Sequence, residues 1–194
     1  MAANTRKLCL TALGIALFVA LTLCLQVPVF ENYYLCLGYV VMAVYLWSFG
    51  TASGTAVGCL GVVLYCLVIS GLRGMPGWAM GNLVIGLLLG PAFRFAGRMR
   101  KSWRRTAFLT AAVIVSAALG ILAVKSAVES LLYAQPFLLR AGKNSYAFVA
   151  DAAVLLVSLP VCTALEKPVG RLFPALSVRD PARTGQSPAG VTGR

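Results

Sequence analysis

Histidine is absent from this sequence, and acidic residues are rare. Without histidine, the most common general base and the most common metal ligand are missing. The only acidic residues are Glu31, Glu129, Asp151, Glu166 and Asp180. A membrane-embedded hydrolase needs a histidine-paired nucleophile, a carboxylate pair or a metal site. The sequence therefore argues against an enzyme, and it predicts neither a metal nor a cofactor.

Charge of either sign is also scarce, at 11% of residues, whereas 60% are hydrophobic. A soluble domain averages about 25% charged and about 45–50% apolar residues, so the composition indicates an integral membrane protein. The net charge of +12 comes mostly from basic clusters beside apolar runs. Such clusters are typical of cytoplasmic topology signals and not of a nucleic-acid-binding surface. The six cysteines form no CxxC motif, so we expect buried thiols and not a metal or disulfide framework.

The long apolar runs predict the fold, because a helix needs about 20 apolar residues to cross a bilayer. The first run begins like a secretory signal, but no small-x-small cleavage site follows it, so we expect it to remain as a span. Beyond residue 167 the chain is rich in Pro, Gly, Ser, Thr and Arg, which predicts a disordered cytoplasmic tail over 168–194. Residues 1–167 are predicted to form an all-α membrane domain of six transmembrane helices, with spans at about 8–27, 34–49, 53–70, 78–97, 106–132 and 146–165.

The distribution of basic residues predicts the orientation. Six spans place both termini on one side of the membrane, and most basic residues lie in the termini and in the segment 94–105. The loops on the other side hold only Arg73, Arg140 and Lys143. Because cytoplasmic segments carry the excess of Lys and Arg, we expect both termini inside the cell, in a multi-pass plasma-membrane protein.

Four polar residues in the apolar spans are predicted to lie at one depth. Lys125 follows Arg105 by roughly 30 Å of helix, which places it near the outer boundary, and Glu129 lies one turn further. Asn82 and Asp151 lie early in spans that start on the outer side, so they are expected at the same depth. Ionisable residues in a bilayer are costly and suggest a functional site. The sequence alone leaves two readings open, because Lys125 and Glu129 could contact a ligand or form only a salt bridge with each other.

Small residues recur at every fourth position in several spans. Span one contains Ala12, Ala16 and Ala20 at this spacing, and glycines follow the same spacing over 50–58 and 86–90. Such stripes allow close helix packing. They could serve internal packing or, for the alanines, a partner protein.

An ordered set of motifs over Ala12 to Gly90 resembles the substrate-binding S component of energy-coupling-factor (ECF) vitamin transporters. The motifs are an Ala-x-x-x-Ala first helix, "VPVFENYYLCLGYVVMAVY" entering span two, "SFGTASGTAVGCLG" as a glycine hairpin, and "GMPGWAMGNLVIGLLLG" entering span four. The riboflavin-type S components are the most similar subgroup.

This resemblance implies a subunit that binds a vitamin or related micronutrient in a cavity open to the outside. Its implied partners are a membrane coupling (T) subunit and two cytoplasmic ATPases, with the lipid bilayer around it and no nucleic acid. The resemblance assigns docking on the coupling subunit to Ala12 and Ala16. The outer loops that cover the ligand correspond to 31–34 and 73–78. Substrate contacts are then expected from Tyr33, Tyr34 and Trp78 as stacking faces, and from Asn82, Lys125, Glu129 and Asp151 as polar groups.

The third span departs from the family pattern. Many relatives carry His, Asp or Lys after the glycine hairpin, whereas this sequence has "GCLGVVLYCLVIS", in which Tyr65 is the most polar large residue. The ligand therefore stays open among flavins, pyridoxine-like compounds, thiamin-related compounds and others. A non-transporting membrane scaffold is the alternative function, since the small-residue stripes would serve it equally well.

Overall fold

The computed structural model describes residues 2–24, 27–30, 33–69, 74–99 and 101–173. The described residues are mostly helical. The helices are α1 (Ala2–Cys24), α2 (Gly38–Ser48), α3 (Thr51–Val68), α4 (Met75–Ala96), α5 (Ser102–Ala117), a π-helical segment (Ala118–Lys125), α6 (Ser126–Tyr133) and α7 (Phe137–Leu172).

Within the described residues, five helical stretches are long and apolar enough to cross a membrane. The chain is thus a multi-pass membrane protein. The stretches are Thr5–Cys24, Thr51–Val68, Met75–Ala96, Ser102–Tyr133 and Phe137–Leu172. The remaining apolar helix, α2, has only 11 residues, which is roughly 17 Å of helix against a hydrocarbon core of about 30 Å. The count of six spans therefore stays a prediction.

A β-hairpin makes the fold more than purely α-helical. Strands β1 (Val27–Phe30) and β2 (Tyr33–Leu35) pair in antiparallel orientation, with a bulge between Pro28 and Phe30. The hairpin lies between α1 and α2, where the sequence predicted an outer loop, and β2 packs against α7. The hairpin satisfies backbone hydrogen-bonding groups that a loop would leave to water.

The short helix α2 forms the centre of the core, where it packs against α1, α3 and α7. Its Tyr39 and Met42 are fully buried. The glycine stripes of α3 and α4 serve this internal packing. A Cβ on Gly54 would lie 2.5 Å from the backbone nitrogen of Leu46, and a Cβ on Gly86 would meet Thr55. These glycines therefore allow neighbouring helices to approach closely.

The predicted fifth span contains an eight-residue π-helical segment that ends at Lys125. The hydroxyl of Ser126 donates a hydrogen bond of 3.2 Å to the carbonyl of Ile121. The two residues are five positions apart, which fits the wider turn of a π-helix. The segment packs closely on α4, because a Cβ on Gly81 would lie 2.8 Å from the carbonyl oxygen of Gly120. π-Helical insertions occur frequently at functional sites, and this one directly precedes the predicted polar residues.

Helix α7 is longer than the span predicted over 146–165, since it runs from Phe137 to Leu172. It continues through Pro160 and Pro168, so the first residues assigned to the disordered tail are helical. The rest of that predicted tail, 174–194, lies outside the described residues.

Candidate substrate site

Tyr39 at the start of α2 makes two hydrogen bonds to residues of α4. Its hydroxyl accepts a hydrogen bond from the indole Nε1 of Trp78 at 3.0 Å and donates one to Oδ1 of Asn82 at 2.7 Å. The Nδ2 of Asn82 donates to the carbonyl of Gly58 on α3 at 2.9 Å. Asn82 is fully buried, and a buried amide is stabilised by having both ends paired. The chain of bonds ties α2, α3 and α4 together.

Asp151 of α7 lies near this network. Its carboxylate is buried and close to the Tyr39 hydroxyl. The single proton of that hydroxyl is donated to Asn82. Lys125 lies close enough to Asp151 for a favourable Coulomb interaction. The structure therefore brings Trp78, Asn82 and Asp151 together around Tyr39, with Lys125 near Asp151.

Trp78 packs against a second aromatic residue. Its ring and that of Tyr65 on α3 form a T-shaped pair, with ring centroids 5.7 Å apart. Trp78 is intermediate in exposure, and its Nε1 is fixed by Tyr39. The indole is thus held in one orientation by its edge, an arrangement suited to stacking against a flat ligand.

Glu129 belongs to a second polar cluster, formed by α6 and α7. Its Oε2 accepts a hydrogen bond from Nδ2 of Asn144 at 3.1 Å and faces Nη1 of Arg140 at 3.8 Å. Asn144 also donates to the hydroxyl of Ser126 at 3.0 Å. The side chain of Glu129 packs on α4 at Gly77, where a Cβ would lie 2.8 Å from Cγ of Glu129. Glu129 therefore braces three helices.

The two readings of the Lys125 and Glu129 pair can now be compared with the geometry. Among the described residues, Glu129 forms its ion pair with Arg140, and no ion pair joins it to Lys125 within 4.0 Å. Lys125 instead interacts electrostatically with Asp151. A simple salt bridge between Lys125 and Glu129 does not account for the two residues.

A cavity of about 450 Å³ adjoins the second cluster. It lies between the start of α4 and the turn that joins α6 to α7. Its described lining consists of Gly74, Glu129, Tyr133, Gln135 and Arg140. Ligand pockets typically measure about 300–1,000 Å³, so the space is sufficient for a small molecule or part of one.

The predicted stacking residues Tyr33 and Tyr34 both lie in β2. Their side chains are outside the described part of the structure, as are Glu31, Asn32 and Arg73 of the predicted covering loops. The structure places the backbone of β2 against α7, the helix that contains Asp151.

The predicted docking residues Ala12 and Ala16 are exposed on α1, as are Leu13 and Leu17 beside them. The opposite face of α1 packs inward through Phe18, which is fully buried. The alanine stripe therefore takes no part in the internal packing of the described chain, in contrast to the glycine stripes.

Sequence reasoning missed Tyr39, Asn144 and Arg140. Tyr39 occurs in an apolar stretch and carries no charge, so nothing marked it as the centre of a network. Asn144 and Arg140 fell in a segment interpreted as a polar loop, whereas both lie on α7. Their spacing of four residues could have indicated a shared helix face.

The comparison with known protein families agrees with this architecture. The family model for the S component of ECF-type riboflavin transporters matches residues 2–167. No curated protein matches the chain. The match covers all of the long apolar helices except the last turn of α7. The chain therefore belongs to the family of S components of ECF-type riboflavin transporters, which are substrate-binding transporter subunits of the membrane and not enzymes.

Proposed function

We propose that this S component captures riboflavin or a related vitamin at its outer end and delivers it to the cytoplasm through an ATP-driven coupling module. The module consists of a membrane T subunit and two cytoplasmic ATPases. In this proposal the chain crosses the membrane six times, with α2 and its flanking residues as the short second crossing, and both termini lie inside the cell.

The observation that carries the proposal is the buried network around Tyr39. Trp78 and Asn82 of α4 form hydrogen bonds with this hydroxyl, and Asp151 of α7 lies close to it. Lys125 interacts electrostatically with Asp151 but forms no ion pair within 4.0 Å with any described residue. A partly buried cation is costly in a membrane unless it has a partner. An electronegative group of a bound vitamin would supply that partner.

The roles of the predicted residues follow from their surroundings. Trp78 would stack on the flat part of the ligand, together with Tyr33 or Tyr34 from the hairpin. Asn82 and Asp151 would provide polar groups at the inner end of the pocket, and Lys125 would donate a hydrogen bond to the ligand. Glu129 would position α4, α6 and α7 around it.

Titration of purified protein with riboflavin, thiamin and pyridoxine, monitored by calorimetry, tests the capture step. Saturable binding of one of these vitamins is expected. Mass spectrometry of small molecules that co-purify with the protein provides an independent identification. If the protein bound none of the three and carried no vitamin through purification, the capture role would be wrong.

The role of Lys125 has a matched test in the same titration. Lys125→Gln should weaken binding by at least about tenfold, because a charged hydrogen bond is lost. Lys143→Gln, a change of the same type at an exposed position of α7, should bind as the unmodified protein does. Equal affinity in both variants would remove Lys125 from the site.

Delivery requires a separate experiment, because binding and transport depend on different parts. Cells that express this chain with a T subunit and two ATPases should accumulate the bound vitamin. Cells with ATPases inactivated at their nucleotide sites should not.

A reporter fused after Arg194 that is active only in the cytoplasm tests the orientation, and an inactive reporter would contradict it.

A further inference from the structure

Two polar atoms at the cavity beside α6 have no hydrogen-bond partner among the described residues. They are Oε1 of Gln135, an acceptor, and Nε of Arg140, a donor, and both are buried. Both residues line the same cavity of about 450 Å³. A buried polar atom without a partner is destabilising, so native proteins rarely keep one without a reason.

The turn that contains Gln135 is fixed by hydrogen bonds to α6. Ala134 adopts a left-handed conformation at φ 50°, which is uncommon for a residue with a side chain. The hydroxyl of Ser130 donates to the carbonyl of Gln135 at 2.6 Å, and the amide of Gln135 donates back to the carbonyl of Ser130 at 3.3 Å. The backbone of Gln135 is thus fixed while its side-chain oxygen stays unused.

Arg140 is also held in place by two contacts of its guanidinium group. Its Nη1 faces Glu129 at 3.8 Å, and its Cζ lies 4.9 Å from the ring centroid of Tyr133. These contacts orient the guanidinium but leave Nε unpaired. Arg140 also lines the cavity, together with Glu129 and Gln135.

The charges around the cavity select the kind of group that fits. Glu129 lines the cavity as well, and it already balances the charge of Arg140. An anionic ligand would face the Glu129 carboxylate and the Gln135 oxygen, both of which would repel it. The unused donor and the unused acceptor together match a neutral group that accepts one hydrogen bond and donates another.

We propose that Gln135 and Arg140 bind the polar end of the captured substrate, a neutral group with adjacent hydrogen-bond acceptor and donor such as a cyclic imide or a polyol. This inference rests on the proposed function, since it names a specificity-determining pair for the same substrate. Glu129 is then a positioning residue that holds Arg140 and does not itself contact the ligand.

Calorimetric titration of the full chain with riboflavin, which has both an imide edge and a polyol chain, tests the pair. Gln135→Leu removes the acceptor, and Arg140→Lys removes the Nε donor while keeping the charge opposite Glu129. Each should weaken binding about tenfold, the usual effect of one lost hydrogen bond with a buried partner. Lys143→Gln, from the same end of α7, is the matched control.

The melting temperature of each variant without ligand distinguishes this role from a merely structural one, and it should stay close to that of the unmodified chain. Repeating the titrations with lumichrome, which has the imide but no polyol chain, identifies the group that is bound. If the two variants also bind lumichrome more weakly than the unmodified chain does, the pair binds the imide. If they bind lumichrome as tightly as the unmodified chain does, the pair binds the polyol.

The outcomes separate this inference from the proposed function. Binding of riboflavin by the unmodified chain, with equal affinity in Gln135→Leu and Arg140→Lys, would overturn the inference alone. Failure of the unmodified chain to bind riboflavin, thiamin or pyridoxine would overturn both.

Discussion

The indole of Trp78 and the hydroxyl of Tyr39 are joined by a hydrogen bond of 3.0 Å, although the two residues are 39 positions apart in the chain. The bond connects the start of α2 to the start of α4. It fixes the orientation of the indole and, through the same hydroxyl, the amide of Asn82. One phenolic oxygen therefore organises the two residues that the sequence predicted for stacking and for polar contact.

Tyr39→Phe should destabilise the protein by about 1–3 kcal/mol, because the buried Nε1 of Trp78 and Oδ1 of Asn82 both lose their partner. Vitamin affinity should fall as well, since the indole is no longer held. Thermal unfolding and calorimetric titration measure the two effects. Tyr45→Phe is the matched control on the same helix. It loses only a bond to the carbonyl of Leu10, so it should retain full affinity, and a loss of affinity equal to that of Tyr39→Phe would contradict the role of the network.

Glu129→Gln should lower stability more than Lys125→Gln does. The carboxylate of Glu129 is buried and serves both Asn144 and Arg140, so its neutralisation leaves the guanidinium without its counter-charge, at a cost of about 1–3 kcal/mol. Lys125 has no such partner within 4.0 Å among the described residues. Melting temperatures of the ligand-free variants test the order, and the reverse order would show that Lys125 is the structural residue.

Gly81→Val should destabilise the bundle by about 1–3 kcal/mol through overpacking. A Cβ at this position would lie only 2.8 Å from the carbonyl oxygen of Gly120 in the π-helical segment, and a backbone atom cannot move aside easily. Gly142→Ala is the contrasting change, because a Cβ there meets nothing within 4 Å. It should stabilise α7 by about 1 kcal/mol through helix propensity. Similar unfolding temperatures for the two variants would contradict the close packing of α4 on the π-helical segment.

Ala12→Trp and Ala16→Trp should abolish vitamin uptake while vitamin binding is preserved. Both positions are exposed on α1 and away from the Tyr39 network, so a large side chain there blocks a partner and not the pocket. Val149→Trp on α7, another exposed position, is the control and should transport normally. Uptake assays in cells with the coupling module, together with titration of the purified variants, test this. Normal uptake by both alanine variants would refute docking through the stripe.

Several features were predictable from sequence because they depend on local composition. Long apolar runs must form helices in a bilayer, since no water is available to satisfy the backbone. The sequence therefore predicted a helical membrane protein, and the ordered motifs between Ala12 and Gly90 were sufficient to predict the family that residues 2–167 match. Asn82 and Asp151 could be singled out because polar groups within apolar spans are conspicuous.

Other features depended on contacts between distant segments. The sequence treated Lys125 and Glu129 as one pair because they are one turn apart, yet in the folded chain Glu129 pairs with Arg140 of α7. That pairing depends on how α7 packs against α6, which the spacing of Lys125 and Glu129 does not show. The role of Tyr39 was equally hidden, because its partners come from α4 and α7.

Composition and hydropathy thus determined that the chain is helical and where most of its helices lie, because these properties follow from the solvent around each segment. The ordered motifs between Ala12 and Gly90 determined the family. The tertiary structure decided which polar groups meet. It brought Asp151 close to Tyr39, paired Glu129 with Arg140 and left atoms of Gln135 and Arg140 without a hydrogen-bond partner among the described residues. Pairing of this kind is set by helix packing, which has no signature in the local sequence.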